Sequence, residues 1–176
     1  MKFLSVATLL VASPLVSAAS LPSIFDPTQV TLKAHTTENF PVKGDNPLDY
    51  CENPAGNILQ IESVDLDPNP PLPGQTLQIT ASGELTETIE EGAKVNLVVK
   101  WGLITLISQT VELCDQIKEV DMECPLEKGP MTLKKEVKLP SVIPPGFYSV
   151  LADVYTKDQK KVTCLKADDI QFKLLV

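Results

Sequence analysis

An all-β fold, two antiparallel sheets packed as a sandwich, follows from three observations on this 176-residue chain. Several segments alternate apolar and polar residues with a period of two, the signature of strands buried on one face. Strong turn signals separate those segments. Fifteen prolines, most of them in the breaks, argue against long helices.

In chain order, the first segment is not part of the fold. "MKFLSVATLLVASPLVSAAS" has one Lys, an apolar run from Phe3 to about Val16, and small residues at Ser17, Ala18 and Ala19. That is the pattern of a secretory signal peptide, expected over 1–19, and its apolar run is short for a membrane span. The stretch 20–49 is rich in Pro, Thr and Asp and shows no sustained periodicity; residues 20–37 read as a propeptide or loose leader, and a single domain is expected over 38–176.

Within the domain, the turn "DPNPPLPGQ" at 67–75 precedes "TLQITAS" at 76–82, with Leu77, Ile79 and Ala81 on one face. After "EEGAK" at 90–94 comes "VNLVVKWGLITLI" at 95–107. This reads as one long strand with Val95, Leu97, Val99, Trp101 and Leu103 on one face, yet Val98, Ile104 and Leu106 make the other face apolar too. Either it is bulged at Gly102 and swaps faces, or it lines an interior space filled by an apolar ligand. Past "EKGP" at 127–130, "MTLKKEVKL" at 131–139 directs Met131, Leu133, Val137 and Leu139 inward. After "IPPG" at 143–146, "FYSVLADVY" at 147–155 aligns Tyr148, Val150, Ala152 and Val154, and "IQFKLLV" at 170–176 closes the chain. About seven short strands in one compact chain point to an immunoglobulin-like sandwich.

Composition excludes several functions. A net charge of -8 with no basic block speaks against a nucleic-acid partner, and predicts weak adhesion to anionic membranes at neutral pH that relaxes as carboxylates protonate. No Gly-x-Ser-x-Gly elbow, phosphate loop or His-rich metal motif occurs, and the single His lies in the leader, so no enzyme, cofactor or metal is expected. Glu84, Glu87, Glu90 and Glu91 cluster in an expected hairpin turn, where a solvated charge run is the simpler account than paired catalytic carboxylates.

Four cysteines allow three pairings. Their gaps are too wide for zinc pairs and no Cys-x-x-Cys is present. In an oxidising lumen we read them as two disulfides, a local Cys114–Cys124 and a distant Cys51–Cys164.

The order Tyr50-Cys51, a run of strands, Cys114 followed by nine residues and Cys124-Pro125-Leu126, "KLP" at 138–140, and a final strand with Cys164 resembles the ML lipid-recognition domain. Within that family the chain looks most like the fungal phosphatidylglycerol/phosphatidylinositol transfer proteins. It lacks the additional short-range disulfide of animal members. The resemblance implies an immunoglobulin-like sandwich with a lipid cavity between its two sheets, opening near the end of the long strand and the "KLP" segment, and a local disulfide that staples the loop beside that cavity. It implies a non-enzymatic phospholipid carrier, with sterol transport as the alternative. A sandwich that binds protein without lipid cargo is the alternative of another class. The implied partners are a phospholipid or sterol and, transiently, a membrane; the protein is expected to be a monomer, secreted or in a vacuolar or lysosomal lumen. Position relative to Cys114 makes Leu106 a pocket candidate, and Val142 and Ile143 follow "KLP". Trp101 and Leu103 come from the strand pattern alone. Lys138 and Lys100 are headgroup candidates.

Overall fold

The computed structural model describes residues 39–173. The expected signal peptide, the leader and the last three residues, with Leu174 and Val176 of the closing alternation, lie outside them. Nine strands and one short helix make up the described chain: β1 (Phe40–Pro41), β2 (Asp49–Tyr50), β3 (Leu59–Asp67), β4 (Thr76–Leu85), β5 (Lys94–Trp101), β6 (Ile104–Glu112), α1 (Leu113–Ile117), β7 (Gly129–Lys138), β8 (Gly146–Tyr155) and β9 (Lys161–Phe172). They form a six-stranded sheet in the order β1-β2-β9-β8-β5-β6 and a three-stranded sheet in the order β3-β4-β7. Every pairing is antiparallel. The immunoglobulin-like antiparallel sandwich expected from the alternation is the observed fold.

Register decides which side chains face the opposite sheet. Across β5 and β8 the inward rows are Val95–Val154, Leu97–Ala152, Val99–Val150 and Trp101–Tyr148. Across β4 and β7 they are Leu77–Val137, Ala81–Leu133 and Gly83–Met131. On β7, Thr132, Lys134, Glu136 and Lys138 are exposed while Met131, Leu133 and Val137 are half-buried, as the period of two requires.

The segment 95–107 is not one strand. It folds back at Gly102–Leu103 into the hairpin β5–β6, with Trp101 opposite Ile104. Gly102 adopts a φ of 54°, which the first position of a tight primed hairpin turn needs and which glycine reaches without penalty. Its N–H donates to the Phe147 carbonyl at 2.9 Å, tying the turn to the start of β8. Of the second apolar face of the sequence, Ile104 and Leu106 therefore belong to a separate edge strand while Val98 stays on β5, and a register shift between Val99 and Lys100 leaves Leu106 without a partner across the ladder.

Two apolar clusters close parts of the sandwich. One gathers Ile58, Leu85, Ile89, Ala93, Ile117, Leu126, Val154 and Val162 at the end that carries α1. The other joins Val42, Tyr50 and Val64 to Ile61, Leu66, Ile79 and Leu165, where β3 meets β9. Burial raises the pKa of the Tyr50 phenol, against a weaker opposing effect of its backbone hydrogen bond at Ile61. On the opposite flank, α1 packs on β6 and the 3-10 turn Lys118–Val120 packs on β7.

Both disulfides are formed. Cys51–Cys164 spans 113 residues of sequence and joins the segment after β2 to β9; Cys114–Cys124 spans 10 and ties α1 to the approach to β7. Beside the long-range bridge, Lys161 binds Glu52 at 2.7 Å, and this hydrogen bond is the main reason its pKa is pushed up. Chain entropy assigns about 4–5 kcal/mol to closing the long loop and nearer 3 kcal/mol to the short one, before any native strain. Urea unfolding of a Cys51→Ser/Cys164→Ser variant should therefore show the larger stability loss. A Cys114→Ser/Cys124→Ser variant that lost more would contradict this ordering.

Candidate functional site

Between the sheets, at the end carrying α1, lies a cavity of about 160 Å3. Leu59, Ile61, Ala81, Met131 and Leu133 line it from the three-stranded sheet, and Val154, Val162 and Thr163 from the other. Leu113, Ile117 and Leu126 close its end. Leu113 directly precedes Cys114, and Leu126 follows Cys124 by two residues, so both flank the local bridge. Leu126 also exchanges two backbone hydrogen bonds with Ile89, each 2.9 Å. The staple therefore holds the floor of an apolar chamber, and the Pro125-Leu126 continuation leads the chain from that floor toward β7.

This chamber is smaller than the ~300–1,000 Å3 usual for a ligand site, so alone it admits only a fragment of a lipid. The apolar rows continue beyond it. Leu97, Val99, Val150 and Ala152 on the larger sheet and Leu133 and Val137 on the smaller are all half-exposed inward-facing residues, and they belong to neither buried cluster. Farther out, Ile107 and Ile104 carry the same rows onto β6 and are exposed. The site is thus a seam between the sheets, closed off by α1 at one end and apolar along its length except at Lys135.

The lipid-binding and headgroup candidates named from the sequence lie elsewhere along this seam or outside it, and none of them lines the chamber. Trp101 ends the inward row of β5, and its indole N–H donates to the Pro145 carbonyl at 3.3 Å. The ring lies so close to Gly146 that a Cβ there would stand 2.3 Å from its Nε1. Leu103 occupies the hairpin turn, fully exposed. Leu106 is 51% exposed at the register shift, Val142 is 84% exposed in the crossover from β7 to β8, and Ile143 beside it is half-buried. Lys100 and Lys138 lie on outward rows and are exposed. Trp101, Leu103, Val142 and Phe147 all belong to the end of the sandwich opposite α1. There the Pro140 carbonyl also accepts from Gly74 N–H at 2.9 Å.

The carboxylate cluster does not sit in a hairpin turn: Glu84 lies on β4, Glu87, Glu90 and Glu91 lie on the crossover from β4 to β5 of the other sheet, and two of the four form surface ion pairs. Glu87 binds Lys160 at 2.7 Å and Glu90 binds Lys157, both lysines belonging to the β8–β9 turn. The Lys157 hydrogen bond pulls the Glu90 pKa down. Among the described residues no group of three or more His, Cys, Asp or Glu side chains is placed to hold a metal ion.

Two features of the site escaped the sequence. Thr163 lines the chamber although it sits one residue from Cys164 in a strand whose alternation bulges disturb. Lys135 stands on an inward row, opposite Ile79, where the period of two calls for an apolar residue. The second was visible as the gap between Leu133 and Val137 in the inward set of that strand.

Fold and seam together define an immunoglobulin-like sandwich with an apolar slot between its sheets. The ML domain family model matches residues 45–170, and the chain belongs to that family. A phosphatidylglycerol/phosphatidylinositol transfer protein of Aspergillus fumigatus is 66% identical, the alignment covering 99% of both chains. Its counterpart in Emericella nidulans is 57% identical over 98% of this chain and all of that one. Among solved structures, chicken MD-1 complexed with lipid IVa superposes with a TM-score of 0.52 at 17% identity, covering 77% of this chain and 99% of the other, and thus shares the fold.

Thr163 yields a direct check on the chamber. Its hydroxyl is buried with no hydrogen-bond partner among the described residues. Thr163→Val, which keeps the shape and removes the unpaired hydroxyl, should stabilise the protein by about 1 kcal/mol. Thermal denaturation that showed a lower Tm for the variant would contradict an apolar chamber at this point.

Proposed function

We propose that this protein is a non-enzymatic carrier that takes a phospholipid of the phosphatidylglycerol or phosphatidylinositol class from one membrane, shields its acyl chains, and releases it at another. The observation that carries this is the seam. A stable sandwich buries its inward rows, and here a whole flank of them stays half-exposed in a chain that matches named transfer proteins over nearly its full length. Acyl chains laid along Leu97, Val99, Leu133 and Val137 would complete the core, each Å2 of apolar surface so covered contributing about 25 cal/mol. No reactive group is required.

The end of the seam away from α1 is the face we assign to transient membrane contact. Leu103, Val142 and Phe147 are exposed there, with Ile104 and Leu106 just behind on β6. A hairpin turn tipped by a fully exposed leucine can enter the headgroup layer while the negative net charge of the chain favours prompt release from an anionic surface. The candidates Leu103 and Val142 serve contact with the bilayer, while Trp101 and Ile143, half-buried, sit where a chain would pass into the seam. The protein acts as a monomer in the lumen of the secretory pathway, or beyond it, after loss of residues 1–19 and 20–37; two disulfides suit that compartment.

Native mass spectrometry of the secreted protein should show one bound phosphatidylinositol or phosphatidylglycerol. A mass that stays bare after incubation with mixed liposomes would sink the carrier function. Leu103→Asp should slow transfer between vesicles about tenfold while leaving the Tm within a degree or two of wild type, since the side chain touches no core. An unchanged transfer rate would remove the hairpin turn from the membrane-contact face.

A further inference from the structure

The inward rows of the two sheets are apolar or uncharged along their whole described length except at one position. On β4 and β7 they run Leu77, Ile79, Ala81, Gly83, Leu85 and, opposite them, Val137, Lys135, Leu133, Met131, Gly129. The facing rows hold Val95 to Trp101 on β5 and Tyr148 to Val154 on β8, with Thr163, Leu165, Ala167 and Ile170 on β9, and none of these residues is charged. Lys135 is the exception. Its side chain is 29% exposed, and its ammonium lies 2.8 Å from the carboxylate of Glu119, a residue 61% exposed on the 3-10 turn that follows α1.

A lysine in such a row is expensive as a structural element. Its ammonium loses part of its hydration, and pairing with a solvent-exposed carboxylate returns little. Val or Leu would fill the position and extend the rows of Leu133 and Val137. A break in an otherwise consistent pattern marks a functional position more often than a defect. The long stem can lie along its apolar neighbours while the charge reaches the edge of the seam beside the 3-10 turn that follows α1.

We propose that Lys135 is the anion subsite of the slot: it takes the phosphate of an acidic glycerophospholipid whose acyl chains lie along Val99, Leu133 and Val137, and Glu119 is the internal anion that gives way to it. The proposal rests on the carrier function above and names the residue that reads the headgroup. An ammonium with three donors suits a phosphate oxygen cluster, and such charge-assisted bonds are among the stronger ones. The geometry also disfavours a free anion. The outer groove beside this lysine is lined by Glu119, Asp121 and Glu136 against Lys134 and Lys135, an excess of negative charge. A phosphate alone meets those carboxylates; one anchored by acyl chains arrives from the seam side, where Lys135 is the only charge on the rows. In the empty protein Glu119 keeps the lysine paired, and in the loaded protein the lipid phosphate replaces it.

The test loads wild type, Lys135→Gln, Lys135→Arg and Glu119→Gln from vesicles of phosphatidylcholine mixed equally with phosphatidylinositol, and reads the ratio of bound lipids by native mass spectrometry, with a thermal melt of each variant. Lys135→Gln should lower the phosphatidylinositol preference about tenfold, the loss of one charge-assisted hydrogen bond. Lys135→Arg should largely keep the preference, and Glu119→Gln should raise phosphatidylinositol loading. Inorganic phosphate alone should displace no lipid. A lipid ratio unchanged in Lys135→Gln, or Glu119→Gln lowering loading in step with it, would reduce the pair to a structural strut and overturn the subsite while leaving the carrier function intact. Displacement by inorganic phosphate would assign the lysine to a free anion instead. Should Lys135→Gln fail to fold, Glu119→Gln and Lys135→Arg decide the matter by the same ratio. Wild type that takes up neither phospholipid would fail the carrier function itself.

Discussion

The larger sheet presents inward rows on β5, β6, β8 and β9, whereas its partner has only β3, β4 and β7 with which to cover them, so two equal layers cannot form. Along β3 and β9 the sheets meet and pack Tyr50, Val64 and Leu165 into a cluster. On the other flank α1 and the 3-10 turn Lys118–Val120 cover only part of the edge, and apolar residues that a closed sandwich would bury stay half-exposed. Site, expected ligand and the route for that ligand all depend on this mismatch.

Given an open flank, the protein must keep the two sheets in register without closing the gap between them. The local disulfide and α1 do this at one end by forming a floor from Leu113, Ile117 and Leu126, which joins the cluster of Leu85, Ile89 and Val154. The long-range disulfide acts elsewhere: it ties β9 to the segment after β2 within the larger sheet's side of the fold, far in sequence but close to Lys161 and Glu52. Neither bridge crosses the seam at its outer end, where Trp101 and the crossover from β7 to β8 stand. That is the end proposed for entry of the acyl chains.

Much of the fold was legible because the strands at 76–82, 131–139 and 147–155 carry a period-two pattern; burial alternates at every position of 131–139, and only toward the ends of the strands in 76–82 and 147–155. Legibility failed where registers shift. In β3 a bulge between Ile61 and Ser63 breaks the alternation, and in β9 two irregularities do the same, so neither strand announced its full length. The hairpin β5–β6 was read as one strand because Gly102 occurs between two apolar runs with no polar turn to mark the reversal. For the site, the two-sided apolar character of 95–107 comes from two strands of one hairpin, and single-residue placement was not readable: which apolar residue lines a chamber and which faces water depends on where the smaller sheet ends. Lys135 shows the converse, since an inward position held by a charge is plain once the strand's period is known.

Central to this account is that acyl chains lie between the sheets rather than on the outside of the protein. Trp101, the one tryptophan of the chain, ends an inward row and is fixed by its bond to the Pro145 carbonyl, so its fluorescence reports on the seam. The most direct measurement is quenching of that fluorescence in protein loaded with phospholipid brominated along its acyl chains and then separated from vesicles. The account predicts strong quenching relative to protein loaded with the unbrominated lipid. Loaded protein whose Trp101 emission is the same with both lipids would contradict it.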